Sequence, residues 1–454
     1  MIELFLICEI IWGPEKCISP DTMTPLHPKA CVWKDTIHLV FERGEYEVIY
    51  LRSVDKGETW DEPKNLTIND PAGAILPDIT VWGNKVHVVY NNFGSGADSV
   101  MYVRSIDGGT TWEAPRKILR PGHYCTITCR HDTLYLKTNT YVDSPWVVIR
   151  SCDGGITWQL LHSFDPSPGF SEIEMSLSYL HIPTHKYVYR TEVFYFYSPD
   201  LGNTWVGPIR ISPIDEWPSQ CPSISVSDTN VYIFWDESMY CGFGQWYNVN
   251  LRKSHNSGHN FSERIILSNY CYSTHIAAYA KDSIVVVVYP DGRENEDYDL
   301  WWRVSYDYGN TWTDEERLIY LPGGAVSPEL CGWGNDIYLF WVQIADSQKL
   351  YFKKGTYVDI KENYKKITDL KIISSSILFL PSNIKFFVFE GIKYSLNLID
   401  LNGRKIKVLK EGMGKGLESI YLENIKEGNY FITLEADEKI LKKKITILKR
   451  GDKR

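Results

Sequence analysis

Short runs of β-branched and aromatic residues, broken by turns, set the pattern of this chain. Ser99-Val100-Met101-Tyr102-Val103-Arg104 is one such run, rich in residues that favour strands. Glu113-Ala114-Pro115-Arg116-Lys117-Ile118-Leu119 is the next, a shorter strand opened by proline. Between them, Ser105-Ile106-Asp107-Gly108-Gly109-Thr110-Thr111-Trp112 reads as a tight turn. Asp107 can accept hydrogen bonds from backbone N–H groups two and more residues on. Gly109 supplies a backbone angle that a side chain would resist. Thr111 offers a hydroxyl, and Trp112 is a large apolar plug beneath the turn.

The same spacing returns at Ser53, Asp55, Gly57, Thr59 and Trp60, at Ser151, Asp153, Gly155, Thr157 and Trp158, and at Ser198, Asp200, Gly202, Thr204 and Trp205. A degraded copy has Ser254, Asn256, Gly258, Asn260 and Phe261, and the last has Ser305, Asp307, Gly309, Thr311 and Trp312. Steps between successive aspartates, with Asn256 as the stand-in, are 52, 46, 47, 56 and 51 residues. A period near fifty built from short strands predicts a β-propeller. These octapeptides resemble the Asp-box, or bacterial neuraminidase repeat, Ser-x-Asp-x-Gly-x-Thr-Trp. That resemblance covers residues 12–355 and implies a sialidase-like propeller scaffold. It implies no particular activity, because Asp-boxes occur in sialidases, other glycosidases and non-enzymatic receptors alike.

Inner strands open near Lys29, Leu76, Tyr124, Glu172, Pro222, His275 and Ser327, so the expectation is seven blades, with six if one unit is irregular. Second strands are expected at Thr36–Phe41, Lys85–Tyr90, Thr133–Thr138, Lys186–Arg190, Asn230–Trp235 and Ser283–Tyr289. Trp12-Gly13-Pro14-Glu15-Lys16-Cys17-Ile18-Ser19 looks like the strand that follows each turn tryptophan, but without inner strands upstream. Val326–Trp333, Asp336–Val342 and Lys349–Gly355 are three inner strands without a following turn. The economical reading is closure of the ring by the N-terminal strand, which removes exposed sheet edges. Residues 1–11 read as a truncated leader, 12–357 as the propeller and 358–371 as a linker.

Residues 372–450 lose the fifty-residue period. Alternating strands and an Asn402-Gly403 turn predict a small β-sandwich. The Asp400-x-x-Gly403-Arg404 turn, the Gly428-x-Tyr430-Phe431 strand and the terminal Lys443-Lys444-Ile445 strand are similar to the C-terminal sorting domain of type IX secretion substrates, subtype A. That similarity implies a bacterial protein exported through its secretion machinery to the surface or medium.

Charge sharpens this division. From residue 356 onward there are 20 Lys and Arg against 13 Asp and Glu, while the rest has 28 against 44. An acidic body of net charge −16 argues against nucleic acid as a partner. No run of eighteen apolar residues exists, so no transmembrane segment is expected. None of the ten cysteines forms a C-x-x-C pair, and no metal or organic cofactor is expected.

In a propeller the Asp-boxes share one face, and ligands bind the opposite one around the channel. Asp55, Asp107, Asp153, Asp200, Asn256 and Asp307 are therefore read as structural. Loops on the opposite face present carboxylates and aromatics suited to sugar hydroxyls, so a glycan is the expected partner. Glycoside hydrolysis by paired carboxylates would draw on Asp78, Glu172, Glu174, Asp236, Glu237 and Asp291. Arg43, Arg190, Arg293, Tyr240, Trp246, His275 and Glu329 are the candidate substrate-binding residues. The family resemblance implies three arginines around a sialic acid carboxylate, the first in a Phe/Tyr-Arg-Ile-Pro motif. The matching stretch here, Leu26-His27-Pro28-Lys29-Ala30, has none. A glycan-binding propeller, with or without hydrolysis, and a non-catalytic surface or structural propeller are the two readings.

Overall fold

The computed structural model describes residues 8–20, 23–44, 46–68, 72–93, 98–139, 145–164, 172–240, 245–271, 275–292, 298–359, 371–372, 377–380, 382–388, 391–414, 416–436 and 439–449. Regular structure among them is all β-strand. The chain divides into two compact units, Pro14–Thr356 and a second made of Tyr357–Arg454 with Met1–Gly13.

Within Pro14–Thr356 the described residues form seven antiparallel sheets. The first is Pro25–Trp33, Thr36–Arg43, Glu47–Ser53 and Lys64–Asn65, paired in that order. Five more repeat this simple meander, opening with Gly73–Trp82, His123–Arg130, Glu174–Ser176, Ser219–Ser227 and Ala277–Lys281. The seventh opens with Gly324–Trp333 and continues with Asp336–Ile344 and Gln348–Asp359. Lys16–Cys17 joins it, with Lys16 opposite Phe352 and Cys17 opposite Tyr351. The Ser19 hydroxyl accepts the Leu350 N–H at 2.9 Å, and Lys353 Nζ meets Glu15 at 2.6 Å.

Each opening strand packs beside the next, and Gly324–Trp333 packs beside Pro25–Trp33. Second strands lie between neighbours on both faces. They therefore read as continuous apolar runs rather than alternating ones; Ile284–Asp291 is buried along its whole length. One expected second strand, Lys186–Arg190, is misplaced. The second strand is Tyr179–Tyr187, the third is Thr191–Ser198, and Val188–Arg190 is the tip between them, closed by Val188 N–H on the Arg190 carbonyl at 2.7 Å. The tip has no Gly, Pro or Asn to mark it; Tyr189 itself takes φ +84°.

The six octapeptides link third strands to outer strands and share one bonding pattern. In Ser105–Trp112 the Ser105 hydroxyl donates to Asp107 Oδ1 (2.7 Å) and accepts the Gly109 N–H (2.8 Å). Asp107 then accepts the Thr111 N–H (2.8 Å) and hydroxyl (2.6 Å). The degraded copy keeps the backbone part: Asn256 Oδ1 accepts the Asn260 N–H at 3.0 Å. Each turn also locks onto the preceding sheet. Gly109 has φ +83°, and a Cβ there would overlap the Tyr50 hydroxyl. Tyr102 stands the same way against Gly155, Tyr195 against Gly258, and Phe352, from the seventh sheet, against Gly57. The tyrosines are held by His38, His87 and His181 at 2.7, 2.7 and 2.6 Å. Burial pushes each of these histidines down to about 3, so they are neutral.

The second unit carries its own core. Ile377–Leu380, Lys439–Lys449, Gly428–Ala436, Lys393–Ile399 and Lys405–Met413 form a five-stranded sheet, and Lys371–Ile372, Ser382–Val388 and Gly416–Leu422 a three-stranded one. Ile384, Phe386, Leu396, Leu398, Ile432 and Ile447 are wholly buried among them. The Asp400 turn closes as expected, Oδ1 accepting the Asn402 and Arg404 N–H groups at 2.9 and 2.8 Å.

Candidate functional site

A bulge recurs in the opening strands and builds the site. Pairing with the second strand slips between Leu26 and Lys29, Ile75 and Asp78, His123 and Thr126, Gln220 and Ser223, and Val326 and Glu329. At each slip one residue takes a left-handed angle: His27 (+46°), Leu76 (+50°), Tyr124 (+54°), Cys221 (+49°) and Ser327 (+50°). Proline follows four of the five, as Pro28, Pro77, Pro222 and Pro328. A bulge tolerates proline because the ladder hydrogen bond is already broken there. The next side chain then lines a central cavity of about 630 Å³: Lys29, Asp78, Thr126, Ser223 and Glu329. Glu172, Glu174 and His275 complete the lining from the fourth and sixth sheets.

Lys29 is the electrostatic centre. Its Nζ meets Glu172 Oε1 at 2.9 Å and Glu329 Oε2 at 3.3 Å. Glu329 Oε1 also accepts the Ala30 N–H (3.4 Å), Glu172 Oε2 the Ile224 N–H (3.4 Å), and Asp78 the Ile79 and Ile127 N–H groups at 2.9 and 2.7 Å. Burial alone would lower the Lys29 ammonium, but Glu172, Glu329 and Asp78 hold it well above its ordinary value. The carboxyls respond oppositely. Burial, then Glu172 and Asp78, push Glu174 up to about 8. Burial pushes Glu329 up to about 7 and Asp78 to about 6 against the pull of Lys29. These groups lie deep in the molecule yet are not sealed: 31% of the Lys29 and Glu172 side chains remains exposed, and that water tempers each interaction.

The structure thus gathers Asp78, Glu172, Glu174, His275 and Glu329 around one cavity. It places the other candidates elsewhere. Glu237 is 2% exposed and held by Arg264 Nη1 at 2.7 and 3.0 Å. Asp236 is wholly buried, and neither carboxyl oxygen has a hydrogen-bond partner among the described residues. Asp291, also buried, faces Asp299 across its sheet. Arg43 pairs with Glu47, and Arg190 sits at the hairpin tip. Tyr240 and Trp246 fall on the paired strands Asn230–Tyr240 and Gln245–Ser254, with side chains outside the described residues. Arg293 also lies outside them. No arginine is among the described residues of the cavity wall. Nor do the described residues include a cluster of three His, Cys, Asp or Glu side chains fit to hold a metal. Lys29 is the site residue that the candidates missed. The recurring x-Pro-polar step in the opening strands was the signal for it.

Among known proteins, residues 381–448 match the secretion system C-terminal sorting domain. The chain is therefore an exported one, and among the described residues no helix is long and apolar enough to cross a membrane. None of the curated proteins matches the chain. Solved structures with a similar fold include a polysaccharide lyase of the PL25 ulvan lyase family, at 11% identity and TM-score 0.56, covering 73% of this chain and 93% of that one. The polysaccharide lyase Uly1 aligns at 9% identity and TM-score 0.54, over 76% of this chain and 100% of its own. Trypanosoma rangeli sialidase aligns at 10% identity and TM-score 0.47, over 93% and 85%. The lyases show the fold: an all-β, propeller-like assembly of four-stranded sheets.

Proposed function

We propose that the protein is an exported glycan-binding propeller whose ligand enters the channel around Lys29. In this reading the seven sheets are seven blades, and the N-terminal Glu15–Ser19 stretch completes the last of them. The observation that carries the reading is the cavity itself, into which equivalent bulges on successive opening strands project carboxylates, hydroxyls and a lysine. Such convergent polar groups in one concave wall are what a saccharide's hydroxyls need. The PL25 lyase structure holds -[GlcA(1-4)Rha3S]-, which agrees with a glycan, although a shared fold does not transfer chemistry. A glycan array tests the proposal. Binding should be lost in Glu172→Gln/Glu329→Gln at an unchanged thermal midpoint; retention of binding by that variant would remove the channel from consideration.

Hydrolysis is the second reading, favoured by one pair. Glu174 keeps its proton up to about 8, and Glu172, two residues away, meets Lys29 Nζ at 2.9 Å. Carboxyls whose environments drive them apart divide into acid and base. A panel of fluorogenic glycosides decides it: turnover should fall about 1,000-fold in Glu174→Gln, and no turnover of any substrate by the wild type would leave binding alone.

A further inference from the structure

The charge around the cavity does not balance. Asp78, Glu172, Glu174 and Glu329 line it against Lys29, with His27 and His275 at the same mouth. Lys29 bonds two of the four carboxyls, and Asp78 is held by backbone N–H groups. Glu174 makes no ion pair among the described residues and faces the charges of Glu172 and Asp78. A second observation comes from behind the wall. Asp236 is 0% exposed, neither oxygen has a hydrogen-bond partner among the described residues, and after burial its charge is what raises the thiol of the lining residue Cys221. On the second strand, Asp236 stands where Glu42 and Asn91 stand in their own sheets. Those two side chains accept the Leu76 and Cys125 N–H groups of the next opening strand. In the sixth sheet the strand that corresponds to those donors follows His275 and Ile276 of the cavity wall, and Asp236 makes no such bond among the described residues. Lys137, a buried lysine beside the lining residue Cys125, is pushed down to about 7 by burial.

We propose that the cavity selects a cationic ligand, a saccharide bearing a protonated amine, with the ammonium seated on Glu174 and Glu329 beside Lys29. This rests on the glycan-binding reading and adds the charge of the ligand. Lys29 is the internal precedent, since it already shows an ammonium held by two of these carboxylates at 2.9 and 3.3 Å. A uronate or sulfated sugar would instead bring negative charge into an acidic, partly desolvated wall, which costs free energy. An amine there supplies Glu174 with the ion pair that it lacks among the described residues, beside the Lys29–Glu329 pair.

Calorimetry at pH 6.5, where an ammonium seated on Glu174 displaces the proton this carboxyl otherwise keeps up to about 8, tests this with a glucosamine tetramer, its N-acetylated form, a glucuronate-containing tetramer and the simple diamine putrescine, and choline is added as a fifth probe. The glucosamine tetramer should bind roughly tenfold or more tighter than the N-acetylated one, with the uronate weakest. Glu174→Gln should weaken the glucosamine tetramer at least about tenfold more than the N-acetylated one and so erase that preference, and a thermal melt checks that the variant is folded. Choline, whose charge is fixed, should bind more tightly at pH 8 than at pH 6, because the carboxyls it meets lose their protons across that range. Equal affinity for the amine and its acetylated form, or preference for the uronate, overturns the charge selection and leaves the glycan reading intact. Putrescine binding without any sugar overturns the glycan reading and keeps the charge selection. No binding by any probe overturns both.

Discussion

Each box aspartate gains by giving up its proton. Asp55 accepts the Thr59 hydroxyl and N–H at 2.6 and 2.9 Å, and those bonds hold its carboxyl down to about 2. Asp107, Asp153, Asp200 and Asp307 are depressed by like bonds. A depressed folded value stabilises the protein above the unfolded value of 3.8 and is lost as pH falls through the folded one. The urea midpoint should therefore drop steeply between pH 4 and pH 2, and Thr59→Val with Thr111→Val should flatten that drop. Glu174 behaves in the reverse sense. Folded, it keeps its proton up to about 8, whereas its ordinary value is 4.5. Folding then takes up a proton across that window, and stability declines as pH rises through it. Glu174→Gln should raise the melting midpoint at pH 8 and change it far less at pH 5; an equal change at both would mean that the carboxyl is not strained. The boxes were readable along the sequence because every partner lies within eight residues. Lys29 was not, since its partners Glu172 and Glu329 are 143 and 300 residues away.

Sheets hold together through contacts that alternate along the repeat. A third-strand tyrosine, fixed by a neutral histidine on the second strand, reaches the glycine of the next sheet's turn. Gly109→Ala would combine a left-handed backbone with overlap on Tyr50, and it should destabilise the protein by about 2 kcal/mol or more in chemical denaturation. Tyr50→Phe on the same background should recover part of the loss by removing the overlapping hydroxyl. Strand order was legible from the spacing of the turns, and the opening strands begin within about four residues of the expected points. The fourth sheet escaped that reading at one point. Thr184–Tyr195 is an unbroken stretch of strand-forming and long polar residues, so no local preference marks the reversal at Tyr189. Packing of Tyr179–Tyr187 between neighbours decides it instead.

Across the molecule the first and last sheets meet through several independent contacts. Ala30 N–H reaches Glu329, Trp33 and Trp333 lie 5.1 Å apart, Lys56 pairs with Asp336 at 3.1 Å, and Phe352 fills the space over Gly57. Lys16–Cys17 extends the seventh sheet on its far side. Removing residues 1–19 would bare the outer edge of Gln348–Asp359 and unseat Lys353, which is 9% exposed along its side chain and paired to Glu15. The truncated protein should melt at a clearly lower temperature and self-associate through that edge, as light scattering would show. An unchanged midpoint would mean that the seam holds without the N-terminal strand. The charge division between the two units was visible in composition, and the pairing of Lys16–Cys17 with Gln348–Asp359 was legible too, because Trp12–Ser19 reads as an outer strand with no inner strands upstream.

The proline-marked bulge gives this architecture a modular vocabulary. Lys29, Asp78, Thr126, Ser223 and Glu329 occupy one structural address repeated on different strands. If the cavity binds a ligand as proposed, exchanging a single letter at that address would alter its choice, least disruptively at Thr126 and Ser223. A descendant of this chain would then change its ligand one position at a time, like a lock re-keyed pin by pin.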